Sequence, residues 1–358
     1  MKKDTFNYVK IGRCYWNLQQ NFLKLLWYRL RSADVLIAAE LQTGKLLKLY
    51  LYKWKILKKR SILRIGIYGQ LCFTVYGGYK IFDFYGKNVT RIFKDHIGLE
   101  EVNKEMNLAS SAASLVCAPN IEKVNPEKRW YREEYLSGRV LLAESACDRN
   151  AVCNNFKRHA VPLLEEIISG GEPAVIELKK YLALKQDGLI KRDLQSPDIQ
   201  EITEILEFTD NIVTLLNRQS DARVLIAFSH GDFSVKNIVV TDSGPRLLDW
   251  ELAARRSILY DFYNYFFHIL RTGQNRGNLS LAIHSCLQWL QNSLNSKQNN
   301  YAYDFMPFSQ IYRWLYYFER MVSISGFRAS IHPQKRIRNL RHNMQVFRTF
   351  EKIADTCL

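Results

Sequence analysis

Acidic residues are scarce in this chain: 35 Asp and Glu stand against 51 Lys and Arg, which leaves a net charge of +16. A balance this basic points to an anionic partner, whether nucleic acid, an acidic membrane surface or a phosphorylated ligand. Paired cysteines are missing as well. The seven cysteines lie at 14, 72, 117, 147, 153, 286 and 357, an odd number with no CxxC pair. That spacing supports neither a zinc site nor a disulfide framework, so reduced thiols of a cytoplasmic protein are expected. No run of about 20 apolar residues occurs, so no transmembrane helix is expected. The basic start MKKDTFNYVKIGRCYW lacks a continuous apolar core and makes a poor signal peptide. Internal repeats and low-complexity tracts are absent too. What remains is globular in composition, with 47% apolar and 13% aromatic residues over 358 positions. That length buries a full core in one large domain or two lobes.

The most informative stretch is HGDFSVKNIVVTDSGPRLLDWE, residues 230–251. Ile238-Val239-Val240 suits a short strand, Thr241 to Pro245 is a dense turn signal, and Arg246-Leu247-Leu248 provides a return strand. At roughly 3.3 Å per residue, such a hairpin returns Asp249 toward Asn237, with Asp232 in the loop that feeds it. Carboxylate and amide oxygens are the ligands that a hard cation such as Mg2+ takes. A carboxylate beside them is placed to accept the proton of an attacking hydroxyl.

The pattern H-G-D-x-x-x-x-N followed by D-W-E is similar to the H-R-D-x-x-x-x-N and D-F-G of protein kinases. HGDFSVKN with the following LLDWE resembles the aminoglycoside phosphotransferase and choline kinase group. The resemblance implies an α+β, protein-kinase-like fold of two lobes, a small antiparallel-sheet N-lobe and a larger, mainly helical C-lobe. It implies ATP and Mg2+ as cofactors, Asp232 as catalytic base, and Asn237 and Asp249 as metal ligands. His230 is expected to brace the loop, Asp261 to tie it to a helix, and Glu251 to lie near the metal.

The chain order agrees. Leu71–Val75, Lys80–Tyr85 and Val89–Phe93 read as a strand meander with Gly77-Gly78 and Gly86 at the reversals. By resemblance the first turn covers nucleotide phosphates, and the third strand presents a cation to them. Arg91 is the candidate and Lys94 the alternative; they face opposite sides of a strand. Leu99–Ala113 has helical spacing, and its Glu105, or else Glu101, is expected to pair with that cation. Two further strands, 121–124 and 130–135, precede EEYLSGRVL, which resembles the hinge between lobes. Backbone groups of Glu134, Tyr135 and Leu136 are expected to meet adenine there. Helical periodicity then covers 151–169, 198–219, 258–271, 279–295 and 306–325. The expected organisation is a basic extension over 1–64, an N-lobe over 65–135 and a C-lobe over 136–358.

The acceptor is less legible. Residues 256–358 hold 13 Lys/Arg against 5 Asp/Glu, which argues against an aminoglycoside. Aromatics over 308–321 read as core, with a cation-binding cage for choline as the alternative. Residues 1–64 hold 15 Lys/Arg against 3 Asp/Glu. Within them, LLKLYLYKWKILKKR (46–60) places Lys48, Tyr52, Lys55 and Lys59 on one helical stripe and Leu47, Leu51 and Trp54 on another, which suits an anionic membrane surface. A strand or a packed extension is the alternative. The expected activity is transfer of the γ-phosphate of ATP to a hydroxyl of a small molecule, sugar or lipid-linked saccharide. The expected place is the cytoplasm, peripheral to the inner membrane face. The rival readings are a choline, ethanolamine or aminoglycoside kinase, an inactive kinase-like protein, or a nucleic-acid-binding protein; nucleic acid is the partner not expected.

Overall fold

A computed structural model describes residues 5–31, 42–54, 61–141, 149–186, 199–219, 221–271, 279–297, 303–326 and 333–356. The chain forms two compact units. One comprises Met1–Leu141 with Val239–Glu251, the other Leu142–Ile238 with Leu252–Leu358.

In the first unit the order is β1 (Phe6–Ile11), β2 (Cys14–Asn17), α1 (Phe22–Arg31), α2 (Thr43–Lys53), β3 (Ile62–Ile65), β4 (Leu71–Val75), β5 (Gly78–Asp83) and β6 (Asn88–Phe93). Then come α3 (Leu99–Ala112), β7 (Ile121–Asn125), β8 (Trp130–Glu134) and β9 (Arg139–Val140). Strands β1 to β8 form one sheet in the order β3-β1-β2-β4-β5-β6-β8-β7, antiparallel at each pairing. The reversals have local causes. Gly77 takes a φ of +65°, open to glycine at no steric cost. After β5, the Asp83 carboxylate accepts from the N–H groups of Tyr85 and Gly86, an Asx turn that closes β5 onto β6.

Alternation sorts the side chains by face. Val9, Ile11, Trp16, Leu71 and Val89 pack under Leu25 of α1 and Leu46 and Leu49 of α2. Phe93 and Tyr131 pack under Val102 and Met106 of α3. Tyr8, Cys72 and Ile81 build a core on the opposite face. Residues 6–17, within the segment expected as a basic extension, thus supply two strands of the sheet itself. Of the readings of residues 46–60, the helix is present as far as Lys53, and Leu46 and Leu49 pack it onto the sheet, as the packed extension had it; the strand is not formed over these described residues.

The second unit continues with α4 (Arg149–Asn155), a π turn (Phe156–Ala160), α5 (Val161–Gly170), β10 (Ala174–Glu177), α6 (Leu178–Gln186), α7 (Ile199–Asn217) and β11 (Arg223–Ser229). After the hairpin β12 (Ile238–Thr241) and β13 (Gly244–Leu247) come β14 (Ala254–Ser257), α8 (Tyr260–Arg271), α9 (Leu279–Ser296), α10 (Ser309–Gly326) and α11 (Pro333–Thr356). Strands β10, β11 and β14 form a three-stranded sheet. The expected α+β division is therefore present, a strand-rich first unit and a mainly helical second one.

The hairpin departs from the expected boundary at 135/136. It groups with the first unit because β12 pairs with β9, and the N–H of Leu247 donates to the Cys117 carbonyl at 2.8 Å. Its turn is fed by Gly244 at φ +123°. The aromatics of 308–321 form core and not a cage. Tyr316, Tyr317 and Phe318 are buried on α10, and the Tyr317 ring stacks 4.2 Å from that of Phe347 on α11.

One buried carboxylate organises the helical unit. Glu319 of α10 accepts from the Ser257 N–H at 2.8 Å, from the Ser257 hydroxyl and from the Tyr181 hydroxyl. It thereby fixes α6 and the end of β14 to α10. Burial raises its pKa despite these donors. Replacement by alanine leaves three buried donors without an acceptor, so Glu319→Ala is expected to cost about 3 kcal/mol. Urea unfolding measures this, and a loss below about 0.5 kcal/mol, the size of a surface change, would contradict it.

Candidate active site

In the second unit, the segment after β11 is pinned by backbone hydrogen bonds. Gly231 has a φ of +82°, and a Cβ there would lie 2.2 Å from the Leu252 carbonyl oxygen, so only glycine fits. Asp261, in the first turn of α8, accepts from the N–H groups of His230 at 2.6 Å and Gly231 at 2.9 Å. It ties the loop to that helix. The buried His230 ring accepts the Asp232 N–H on Nδ1 at 3.1 Å. Asn264, one turn along α8, donates to the Phe233 carbonyl at 3.0 Å. Asn237 donates through Nδ2 to the Asp232 carbonyl at 2.9 Å and to Asp232 Oδ2 at 3.1 Å. Its amide nitrogen is thus committed to the loop, and the amide oxygen is the atom that could take a cation. Lys236 forms an ion pair with the same Asp232 oxygen at 3.0 Å. Burial would raise the Asp232 pKa, but the charges of Lys236 and Arg320 outweigh it, so the carboxylate is held ionised.

In the first unit, Arg91 and Glu105 meet as expected, with Nε donating to Oε1 at 3.0 Å. The rest of the guanidinium is also engaged. Nη1 donates to the Ile92 carbonyl at 3.2 Å and Nη2 to the Tyr76 carbonyl at 2.7 Å, and the side chain is 2% exposed. Arg91 therefore ties the Gly77-Gly78 turn to α3 and is walled off from any ligand. A Cβ on Gly78 would meet the Ile92 carbonyl oxygen at 1.8 Å, so this glycine serves the close packing of the turn over Arg91. Lys94 stands over the Tyr79 ring on the other face.

The cation that faces open space is Lys80 of β5, which the order of the strands alone does not single out. Its register partner is Arg91, so both lie on the face that carries α3. Lys80 forms an ion pair with Asp249. Burial alone would lower the Lys80 pKa, but Asp249 and Glu133 more than reverse this and keep it charged. Burial pushes the Glu133 carboxyl up to about 7, against the opposing pull of Lys80. Lys80, Glu105, Tyr131, Glu133, Asp249 and Glu251 line one small cleft of this unit. Asp249 has a φ of +63°, a left-handed conformation that Asp tolerates better than most residues, and its side chain is 46% exposed.

The residues expected at the hinge are held firmly. The N–H groups of Glu134 and Tyr135 donate to the carbonyls of Asn120 and Lys87, both at 2.9 Å. The Glu134 carboxylate accepts from Arg246 at 3.0 Å and from Asn120 Nδ2 at 3.1 Å. Tyr135 packs edge-on against Phe82 and Phe84, and Leu136 is buried. The structure thus groups Asp232, Asn237, His230 and Asp261 in the second unit. It groups Arg91, Glu105, Glu134, Tyr135, Leu136, Asp249 and Glu251 in the first.

A model described as the phosphotransferase enzyme family matches residues 121–284. Among curated proteins no match is found. Among solved structures, the chain is similar to the choline kinase LicA from Streptococcus pneumoniae, with 14% identity, a TM-score of 0.48 and coverage of 84% of this chain and 98% of that one. It is similar to a choline/ethanolamine kinase family protein from Mesorhizobium loti, with 13% identity, a TM-score of 0.43 and coverage of 79% and 89%. It is also similar to an aminoglycoside phosphotransferase, APH(2")-IIIa, solved with GDP and kanamycin, with 16% identity, a TM-score of 0.48 and coverage of 84% and 97%. No residue role is taken from these likenesses. The family match spans the hinge segment, HGDFSVKN and LLDWE, so residues 121–284 carry the pattern of the phosphotransferase enzyme family.

Proposed function

We propose that the protein transfers the γ-phosphate of ATP to an alcohol group of a sugar or lipid-linked saccharide. The observation that carries this reading is the loop around Asp232. Its carboxylate is held ionised, hydrogen-bonded to Asn237, on a backbone fixed by Asp261 and His230. Asn237 and Asp249 offer an amide and a carboxylate oxygen, the donor chemistry that Mg2+ takes together with phosphate oxygens. When bound, Mg2+ would neutralise charge on the phosphates.

The remaining work falls to side chains. Both contacts of Asp232 go to Oδ2, which leaves Oδ1 for the acceptor hydroxyl. The acceptor oxygen forms a bond to the γ-phosphorus, the bond from that phosphorus to the bridging oxygen of ADP breaks, and the hydroxyl proton passes to Asp232. Lys80 replaces Arg91 in this reading as the cation that faces the phosphates, because it alone of the two points into the cleft. Arg91 and Glu105 brace the turn above. Glu134, Tyr135 and Leu136 position the adenine through backbone groups other than the N–H groups of Glu134 and Tyr135, which are taken.

Asp232→Asn is expected to bind Mg-ATP normally and to lose turnover by at least about 100-fold, the scale of a general base. Calorimetry and coupled ADP release measure the two, and unchanged turnover would remove the base role. Lys80→Met is expected to cut kcat/KM for ATP by about 100-fold with little change in melting temperature. Arg91→Met is expected to destabilise by about 3 kcal/mol, since it leaves Glu105 buried and unpaired. The reverse assignment of effects would restore Arg91 as the phosphate ligand.

A specific observation favours a membrane-surface location. Leu23, Trp27 and Leu30 on α1, Leu47 and Tyr50 on α2, and Trp54 just after it are exposed at helical spacing, while Leu25, Leu46 and Leu49 are buried beneath them. The Phe22 and Tyr50 rings lie 5.6 Å apart, which joins the two helices. Lys48 and Lys53 are exposed beside them, whereas Lys55 and Lys59 lie outside the described residues. Among the described residues no helix is long and apolar enough to cross a membrane. Apolar side chains flanked by lysines suit the interface of an anionic leaflet, where each lysine contributes about 1 kcal/mol. Co-sedimentation with vesicles of 30% phosphatidylserine is expected to exceed that with neutral vesicles by about tenfold, and Trp27→Ser with Trp54→Ser to abolish the excess. Equal binding to both lipids would exclude this location.

A further inference from the structure

The second unit gathers cations around Asp232 and gives them few anions. On α8, Asn264, His268 and Arg271 share one face, at spacings of four and three residues. Asn264 holds the Phe233 carbonyl at 3.0 Å, and the Tyr316 hydroxyl of α10 donates to Asn264 at 3.1 Å. The faces of α8 and α10 therefore meet at the loop that carries Asp232. One turn beyond Tyr316 stands Arg320, and one turn beyond Asn264 stands His268. Lys236 completes the group through its ion pair with Asp232.

These groups are under-used by the protein. Arg271 donates through Nε to the Phe267 carbonyl at 3.2 Å, yet among the described residues its Nη2 is buried without a hydrogen-bond partner. Among the same residues, the Nε of Arg320 and the Nδ1 of His268 are also buried without one. Neighbouring acids are spoken for. Asp261 holds the loop backbone, and Glu319 holds Ser257 and Tyr181. Among the described residues this leaves Lys236, Arg271 and Arg320 facing the carboxylate of Asp232, with the Tyr260 and Tyr316 hydroxyls beside the arginines. Burial and the neighbouring Arg320 lower the Arg271 pKa, and burial with Arg271 pulls His268 down to about 4. Buried donors without acceptors are costly, and a guanidinium fork is shaped for a phosphate or carboxylate.

We propose that the acceptor whose hydroxyl Asp232 deprotonates carries an anionic group, a phosphate or a carboxylate, bound by Arg271 and Arg320 with Lys236 and His268 beside it. The acceptor class is then a phosphorylated or carboxylated sugar and not a cationic amino alcohol. This rests on the phosphotransferase reading and specifies its second substrate.

The test compares glucose 6-phosphate, glucuronate, glucose and choline as ligands of the full-length protein. Titration calorimetry is run on protein saturated with Mg–AMP-PNP, and ADP release is measured with Mg-ATP. Glucose 6-phosphate or glucuronate is expected to bind at least about tenfold more tightly than glucose or choline, and whichever binds identifies phosphate or carboxylate as the group. Arg320→Gln and Arg271→Gln are expected to remove that preference while leaving the affinity for Mg–AMP-PNP unchanged. Should those variants fail to fold, Lys236→Gln, with a half-exposed side chain, is expected to weaken binding of the anionic ligand more than that of glucose. Equal or tighter binding of glucose or choline, or a preference untouched by all three variants, would overturn the proposal. Failure to bind Mg–AMP-PNP would instead overturn the phosphotransferase reading, and the binding comparison on nucleotide-free protein would still decide whether the arginines hold an anion.

Discussion

A charge taken out of water must find an opposite charge, because partly buried ions gain little from solvent and interact strongly with each other. Both units of this protein are arranged around that constraint, and they meet it with opposite signs. In the first unit, Lys80 and Arg91 share one face of the sheet with Glu105, Glu133 and Asp249. Arg91 is fully used, by Glu105 and two carbonyls. Lys80 is left between Asp249 and Glu133. With Glu251, which lines the same cleft, the acids outnumber the bases by two, and the strain appears at Glu133, whose carboxyl burial raises to about 7. An acidic surplus beside a lysine is the electrostatic complement of a divalent cation carrying phosphates.

In the second unit the surplus is basic, and the loop is held in place by groups other than Asp232. Asp261 caps two backbone N–H groups, Asn264 caps a backbone carbonyl, and His230 accepts a third N–H. None of these bonds uses the functional carboxylate. Asp232 is thus positioned by its backbone, and its side chain remains available for chemistry. The same economy explains Gly231. The loop passes so close to Leu252 that a side chain would force it away from Asp261.

Much of this was legible in the sequence. The hairpin after Asn237, the meander over 71–93 and the helix over 99–112 follow from turn chemistry and periodicity, which act over a few residues, whereas the pairing of Arg91 with Glu105 was what the family resemblance implied. Lys80 was missed for an identifiable reason. Strand order suggested a cation on β6, and β6 does supply one, but order does not reveal which of two neighbours is walled in. A local signal existed. The Asp83 to Asn88 turn sets the register of β5 on β6 and places Lys80 opposite Arg91, so two cations share one face. The role of residues 6–17 as strands of the main sheet depends on pairing with β3 and β4, some 50 residues away. No local pattern encodes that. Arg271 and Arg320 were hidden likewise, since only the packing of α8 against α10 brings them to one loop.

The distribution of charge along the chain now has a chemical meaning. Residues 65–255, which contain the cleft of Lys80 and the Asp232 loop, hold 23 Lys/Arg against 27 Asp/Glu, so the whole net charge of +16 comes from the two flanking segments. A protein that attracted anions only for solubility or by general composition would not leave the segment between its flanks slightly acidic. The basic flanks differ in their surroundings: the leading one sits beside exposed apolar side chains, and the trailing one places Arg271 and Arg320 near Asp232. In the reading proposed above, each selects anionic matter by itself, a lipid headgroup in one case and an acceptor in the other. A substrate with both a lipid tail in an anionic leaflet and a charged sugar would be favoured by the two features independently, whereas a free cationic alcohol would be opposed by both.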